Sequence, residues 1–306
     1  MHHIHGHSHT SGQNPDKKDK NLLFATVLNL IITAAEIIGG LLSNSLALLS
    51  DAVHNLGDTF AILLAYIARV ISKRNANVKR TFGYKRIEIL AALLNAIMLI
   101  VITFFLFVEA YKRFLTPEPI KGKIMFWVAL VGLFANLSAV ILLKKDSVHS
   151  LNIRAAYLHL LGDTISSVAV IAGSLLILYF GVWWIDPLVT VIIGLYILKE
   201  AYVVLREAVD ILMQSTPESI DLQEVVNELE SRKDISNVHH VHAWKLDDKQ
   251  IHFECHADLQ DDLPVSATDT IRDEIETILL NKFHISHVTI QFEYNCCEGK
   301  SMIHVK

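Results

Sequence analysis

Cysteine is scarce in this chain: Cys255, Cys296 and Cys297 are the only three among 306 residues. That excludes a disulfide-stapled secreted domain and points to a reducing compartment for the part that carries them. Charge is scarce as well. Asp, Glu, Lys and Arg make up 19%, against about 25% in an ordinary soluble domain. Hydrophobic residues reach 52% and the mean hydropathy is +0.39. A wholly soluble chain is therefore excluded. A cleavable signal peptide is not expected, because the opening is polar and His-rich rather than an apolar run ending in small residues. An overall basic footprint is also missing, which argues against a nucleic-acid partner.

The charge that is present is unevenly placed. Residues 1–214 hold 19 basic and 14 acidic residues, net +5, and residues 215–306 hold 8 and 18, net −10. Histidine is abundant at 16, with five in the first nine residues and eight between His239 and His304. Residues 1–20 read as a disordered polar tail, in which His2, His3, His5, His7 and His9 offer loose metal chelation. Six apolar stretches follow, near Leu22–Leu42, Leu46–Val70, Ile87–Phe114, Ile124–Leu143, Ala155–Phe180 and Val182–Leu205. Each is long enough to cross the ~30 Å hydrocarbon core as a helix. Twelve Lys and Arg lie in the tail and in the loops after the second and fourth stretches, against four on the other side. That bias predicts both termini in the cytoplasm.

Residues 215–297 change period. A helix at Pro217–Lys233, strands at Val238–Leu246 and Ile251–Leu259, a helix at Pro264–Phe283 and a strand at His287–Tyr294 predict a small α+β domain of order α-β-β-α-β. Along the second strand Ile251, Phe253, Cys255 and Ala257 point inward, and His252, Glu254, His256 and Asp258 outward. The predicted organisation is thus a tail (1–20), a membrane helical bundle (21–214), a cytoplasmic domain (215–297) and a short tail (298–306).

One pattern occurs twice. His54-Asn55-Leu56-Gly57-Asp58-Thr59 lies in the second apolar stretch and His159-Leu160-Leu161-Gly162-Asp163-Thr164 in the fifth, with five of six positions identical. A spacing of four puts His and Asp on one helix face, one turn apart. An Asp at mid-membrane costs at least ~2.5–3.5 kcal/mol, so such pairs must face each other or a wet cavity. Two imidazoles and two carboxylates form a tetrahedral set suited to Zn²⁺, and the two negative charges cancel the dication. The competing reading is a structural His–Asp pair between packed helices, which gives no reason for a duplicate with matching neighbours.

Two HxxxD motifs in the second and fifth of six membrane helices resemble the cation diffusion facilitator family, in its zinc-transporter branch. Ser50-Asp51-Ala52-Val53-His54, Arg80-Thr81-Phe82-Gly83-Tyr84-Lys85-Arg86 with Glu88, and Asp186-Pro187 extend the resemblance. It implies that His54, Asp58, His159 and Asp163 bind the transported ion. It also implies export of divalent metal from the cytosol in exchange for protons, by a homodimer in a bilayer, with zinc preferred over cadmium where His stands at position 54; cobalt is a further candidate. The implied localisation is the inner (plasma) membrane of a bacterium. For the cytoplasmic domain the resemblance implies a metallochaperone-like, dimerising module that binds regulatory zinc. Its ligand positions fall on His242, His256, His287 and Glu293, with Cys296 and Cys297 as late candidates. His239, His240, His252 and His284 have no comparable support. Asp51, three residues before His54, is a candidate supporting residue to the membrane set.

Many relatives carry a further metal site between the second and third helices, but residues 71–86 contain no His, Asp, Glu or Cys, so that site is expected to be absent. Two other functional classes compete with the transporter. An intramembrane zinc metalloenzyme needs an open coordination position and a general base, yet no HExxH occurs. A membrane-anchored metal sensor does not need six membrane helices. The expectation is a transporter rather than an enzyme.

Overall fold

The computed structural model describes residues 15–144, 151–295 and 301–302, with the side chains of 15–28, 142–143, 151–156 and 159 outside the description. Most of the His-rich tail, Cys296 and Cys297 therefore lie outside the described residues. The described chain groups into two compact units. One runs up to Ile62 and includes Met98–Ala201; the other comprises Leu63–Ile97 and the chain from Tyr202 onward.

Six helices come first: α1 (Pro15–Ser43), α2 (Leu46–Ser72), α3 (Ile87–Leu115), α4 (Gly122–Lys144), α5 (Leu151–Phe180) and α6 (Ile185–Leu212). Among the described residues, α2 to α6 each hold a stretch long and apolar enough to span a membrane, and α1 contributes the shorter apolar run Asn29–Ser43. The burial pattern is that of a bundle in lipid. Large apolar side chains such as Phe104, Phe105, Trp127 and Ile141 are exposed, while Glu36, Asp51, Asn55 and Asp163 are buried. Lipid is as apolar as leucine, so it is the polar groups that must find partners inside.

In the first unit a core of Leu48, Met125, Val170, Ile193 and Ile197 packs the helices together. The turn into α2 is held by side chains from distant parts of the chain. Asn44 adopts a left-handed φ of 58°, and Arg113 donates to its carbonyl at 2.6 Å and its side-chain oxygen at 2.9 Å. Asp186, at the start of α6, caps the N-terminus of α2. It accepts from Ser45 Oγ at 2.5 Å and from the amides of Leu46 at 2.8 Å and Ala47 at 3.2 Å. These amides are among the four that every helix start leaves unpaired, and in lipid an unpaired one costs several kcal/mol.

In the second unit α6 continues past the apolar run to Leu212, because Ala208 and Ile211 pack on Ile89 of α3. The soluble part then follows the predicted order: α7 (Leu222–Glu230), β1 (Ile235–Lys245), β2 (Ile251–Leu259), α8 (Val265–Phe283) and β3 (His287–Tyr294). Asp221 caps α7 through the amides of Gln223 and Glu224. The sheet order is β1-β2-β3, antiparallel between β1 and β2 and parallel between β2 and β3. The parallel pairing follows from α8, which carries the chain back across the sheet before β3 begins. Val225 and Leu229 of α7, Ile275 and Leu279 of α8, and Phe253 of β2 share one core. Truncating Phe253, which is fully buried, to alanine would cost about 3–5 kcal/mol.

Candidate metal centres

The repeated motif puts its residues on α2 and α5. His54 Nε2 lies 3.3 Å from Asp163 Oδ1 and 3.9 Å from Asp58 Oδ2. His54 is 5% exposed and Asp163 1%. Three of the four expected donors thus converge from two helices. The side chain of His159 lies outside the described residues; its backbone stands on α5 four residues before Asp163, which is one turn on the same face. The glycine preceding each aspartate has a packing reason. A Cβ on Gly57 would meet Leu99 at 2.5 Å, and one on Gly162 would sit 3.1 Å from the Tyr196 hydroxyl. Tyr196 also turns its ring edge to His54, with centroids 5.7 Å apart. The small residue in each motif lets a neighbouring helix close over the site.

Two buried carboxylates flank this set. Ser166 donates to Asp51, joining α2 to α5 beside the donors. Glu36 of α1 accepts from Asn55 Nδ2 at 2.8 Å. Asn55 follows His54 directly, so this bond fixes the turn of α2 that presents the imidazole. Sequence alone offers Glu36 no partner; the pairing needs the helix register.

On the soluble domain the structure assembles a different set of histidines from the one the resemblance implies. His239, His256 and Glu293 have donor atoms all within 4.8 Å of one another. Glu293 Oε1 is 2.8 Å from His256 Nδ1, and its Oε2 is 3.4 Å from His239 Nε2. Two imidazoles and a carboxylate suit a first-row dication with a fourth position open. His242 stands on the same face, ring to ring with His240 at 5.0 Å, and His240 lies 4.6 Å from His256. His287 is not brought to this cluster. It pairs with His252, whereas His256 pairs with Gln291, four residues or roughly 13 Å along the strand. Cys296 and Cys297 lie outside the described residues. The third cysteine, Cys255, is buried in the core, and burial pushes its thiol up to about 12, so it is no thiolate ligand.

His239 enters because of a bulge. The β1–β2 register shifts between His239 and His242, with His240 at a φ of 52°. The extra residue leaves both His239 and His242 on the outer face, and it sets His239 opposite His256.

The comparisons with known proteins bear on both regions. The family model described as the cation efflux transmembrane domain matches residues 22–213, and that of the cation efflux protein cytoplasmic domain matches residues 217–295. The chain belongs to the cation efflux, or cation diffusion facilitator, family. Among curated relatives, a "Cadmium, cobalt and zinc/H(+)-K(+) antiporter" of Bacillus subtilis is 39% identical over 94% of this chain and 92% of its own length. The "Zinc transporter ZitB" of Escherichia coli is 39% identical over 96% and 94%. A solved structure, "Metal-bound C-terminal domain of the CzcD transporter from Cuprividus metallidurans", covers 24% of this chain at 31% identity with a TM-score of 0.22. As a member of this family the chain is a multi-pass membrane protein, and α1–α6 with the α+β domain are the family's two parts.

Proposed function

We propose that this cation efflux protein exports zinc from the cytosol in exchange for protons, by alternating access at His54, Asp58, His159 and Asp163. The observation that carries the reading is the convergence of His54, Asp58 and Asp163 from two membrane helices, with His54 and Asp163 almost fully buried. A metal dication at such a point needs two negative ligands for neutrality, and these motifs supply two.

Proton coupling follows from the same donors. Zinc takes neutral imidazoles and ionised carboxylates, so binding it expels protons. When the ion leaves, protons take over its role of neutralising Asp58 and Asp163, and the empty carrier returns without bare charges in lipid. The four groups exchange protons as one set. An acid outer side thus displaces zinc outward, and zinc loading from the neutral cytosol releases protons inward.

The related antiporter and zinc transporter support zinc, with cadmium and cobalt as further substrates. Both termini lie in the cytoplasm of a bacterial cell, with the bundle in the inner membrane, in line with the basic loops. The protein works as a homodimer through its cytoplasmic domain, a reading supported by the name of the matching family model, ZT_dimer. His239, His256 and Glu293 hold a regulatory zinc there. The domain's net charge of −10 opposes close approach of two copies, and bound dications relieve that repulsion.

The test is zinc flux into inside-out vesicles at varied internal pH. An inwardly acid gradient should accelerate uptake, with proton counterflow. Zinc uptake indifferent to the gradient would refute antiport, and no uptake at all would favour a metalloenzyme or an anchored sensor, neither of which moves metal.

A further inference from the structure

The loop between α2 and α3, residues 73–86, carries Lys73, Arg74, Lys79, Arg80, Lys85 and Arg86 and no acidic residue. Among the described residues none of these six forms an ion pair. Lys85 bonds the neutral amide of Gln250, Arg80 lies 4.5 Å over the Tyr84 ring, and the nearby Glu88 carboxylate accepts from Ser72 at 2.5 Å. Inside the second unit this loop and the soluble domain form two adjoining clefts that share Lys85; one of them starts at Ser72. Its walls include Lys73, Arg74 and Lys85 on the loop side and His252, Ser286 and His287 on the domain side, and no Asp or Glu lines it. Phe82 closes the cleft by setting its ring edge on His252, centroids 5.6 Å apart, while His252 and His287 stand 4.6 Å apart.

Two ligands can be weighed. Neighbouring imidazoles suggest a metal dication, but one placed here would face three permanent cations and no carboxylate. At about 6 Å each such dication–monocation pair costs about 1.4 kcal/mol even in bulk water and more beside protein. An anion meets the reverse. Three cationic side chains, the Thr81 hydroxyl and the Asn75 amide all offer donors, a set suited to phosphate oxygens. Place also favours a phosphate. Lys73 and Arg74 are the first residues after α2, and Lys85 lies two before α3. At ~3.5 Å per residue they stay within ~7 Å of the helix ends, inside the Debye length of about 8 Å from lipid headgroups.

We propose that the cleft lined by Lys73, Arg74, Lys85, His252 and His287 binds a phosphoryl anion, and that through it a phosphate at the membrane surface ties the α2–α3 loop to the soluble domain. Phospholipid headgroups and free phosphate share this chemistry, and the experiment separates them. Purified full-length protein is titrated in phosphatidylcholine nanodiscs, in nanodiscs doped with phosphatidylglycerol, and in phosphatidylcholine nanodiscs with inorganic phosphate, with thermal unfolding and intrinsic fluorescence as readouts. Stabilisation by phosphatidylglycerol alone identifies a lipid site, and stabilisation by inorganic phosphate as well identifies a site open to free phosphate. No response to either overturns the proposal.

Site and diffuse charge are separated by variants. Lys73→Gln with Arg74→Gln should weaken binding roughly fivefold per cation, or about 25-fold together. Lys79→Gln with Arg80→Gln removes the same charge from the same loop in the adjoining cleft, and because screening weakens charges that do not touch the ligand it should change affinity clearly less. Equal weakening by both pairs would overturn the cleft. Ser286→Glu keeps every basic residue that guides membrane insertion, yet places a carboxylate on the cleft wall, so it must weaken binding too. Normal binding by that variant would also overturn the proposal.

Discussion

The two candidate metal centres draw on the same residue types in different settings, membrane helices and the strands of the cytoplasmic domain, and their carboxylate counts differ. In the bundle, two motifs pair each histidine with a carboxylate, and the donors that converge include Asp163 at 1% exposure. On the soluble sheet a single carboxylate, Glu293, serves two imidazoles, His239 and His256. A dication with one carboxylate keeps a net positive charge, which water tolerates and lipid does not. Within membrane helices charge neutrality favours two carboxylates; on the strands outside them one carboxylate between two imidazoles is enough.

The largest effect should come from removing charge in the membrane centre. Asp163→Ala is expected to lower zinc flux in proteoliposomes at least about a hundredfold, because it leaves a loaded site with net charge. Glu293→Ala removes the same charge from the strand cluster. It should weaken zinc binding by the soluble domain at least roughly tenfold, and flux should fall much less. Calorimetry on one variant and flux on the other would sharpen the contrast; equal loss of flux from both would break it.

Asp186→Ala comes next. Losing a charged acceptor from one hydroxyl and two amides should destabilise the protein by roughly 2–4 kcal/mol, read as a lower unfolding temperature in detergent. His54→Asp should be milder still. A third carboxylate offers extra oxygen ligands that suit a larger ion, so the zinc-to-cadmium flux ratio should fall. The matching change His256→Asp should leave that ratio unmoved.

The smallest expected effect concerns His252. Burial first, then the neighbouring His287 and Lys85, lower it below its ordinary 6.5, against a weaker opposing pull from Asp247. The unfolded chain therefore binds more protons than the native one just below that value, and stability falls as pH drops through it. His252→Gln should flatten the loss of thermal stability between about pH 7 and pH 5.5. An unchanged slope would exclude His252 as its source.

Much of this was legible from the chain. The six helices follow from apolar length, and the α-β-β-α-β order follows from the change of period. The repeated HxxGD pattern singles out His54, Asp58 and Asp163 without any coordinates, and the structure brings those three side chains together. What was not legible depends on register. Strand alternation places His256 outward, but only the bulge at His240 sets His239 opposite it. Without that extra residue His239 carries no distinguishing mark among its neighbours. His287 has the opposite history. Its place on the third strand fits a ligand position until the parallel register seats it beside His252. Apolar length ends the sixth stretch at Leu205, whereas α6 runs to Leu212, because its last seven residues exchange an all-round apolar surface for one packed side, Ala208 and Ile211. Such register and packing information arises between elements, where composition and periodicity are silent.

The cap that Asp186 places on α2 also has a mechanical meaning. It joins the first turn of α2 to α6, ahead of the Asp51–Ser166, His54–Tyr196 and Asn55–Glu36 contacts further along the helix, and so offers a fulcrum. Asp58 lies twelve residues beyond Leu46, which along a helix is an arm of about 18 Å. Tilting α2 by about 10° around that point sweeps Asp58 through about 3 Å, more than the ~2 Å length of a zinc–oxygen bond. A small rocking of one helix is then enough to make or break the coordination sphere, while the hydrogen bonds at the fulcrum stay closed. On such a lever the sweep scales with the distance between cap and carboxylate, a quantity that inserting or deleting a whole helical turn between residues 47 and 53 would change.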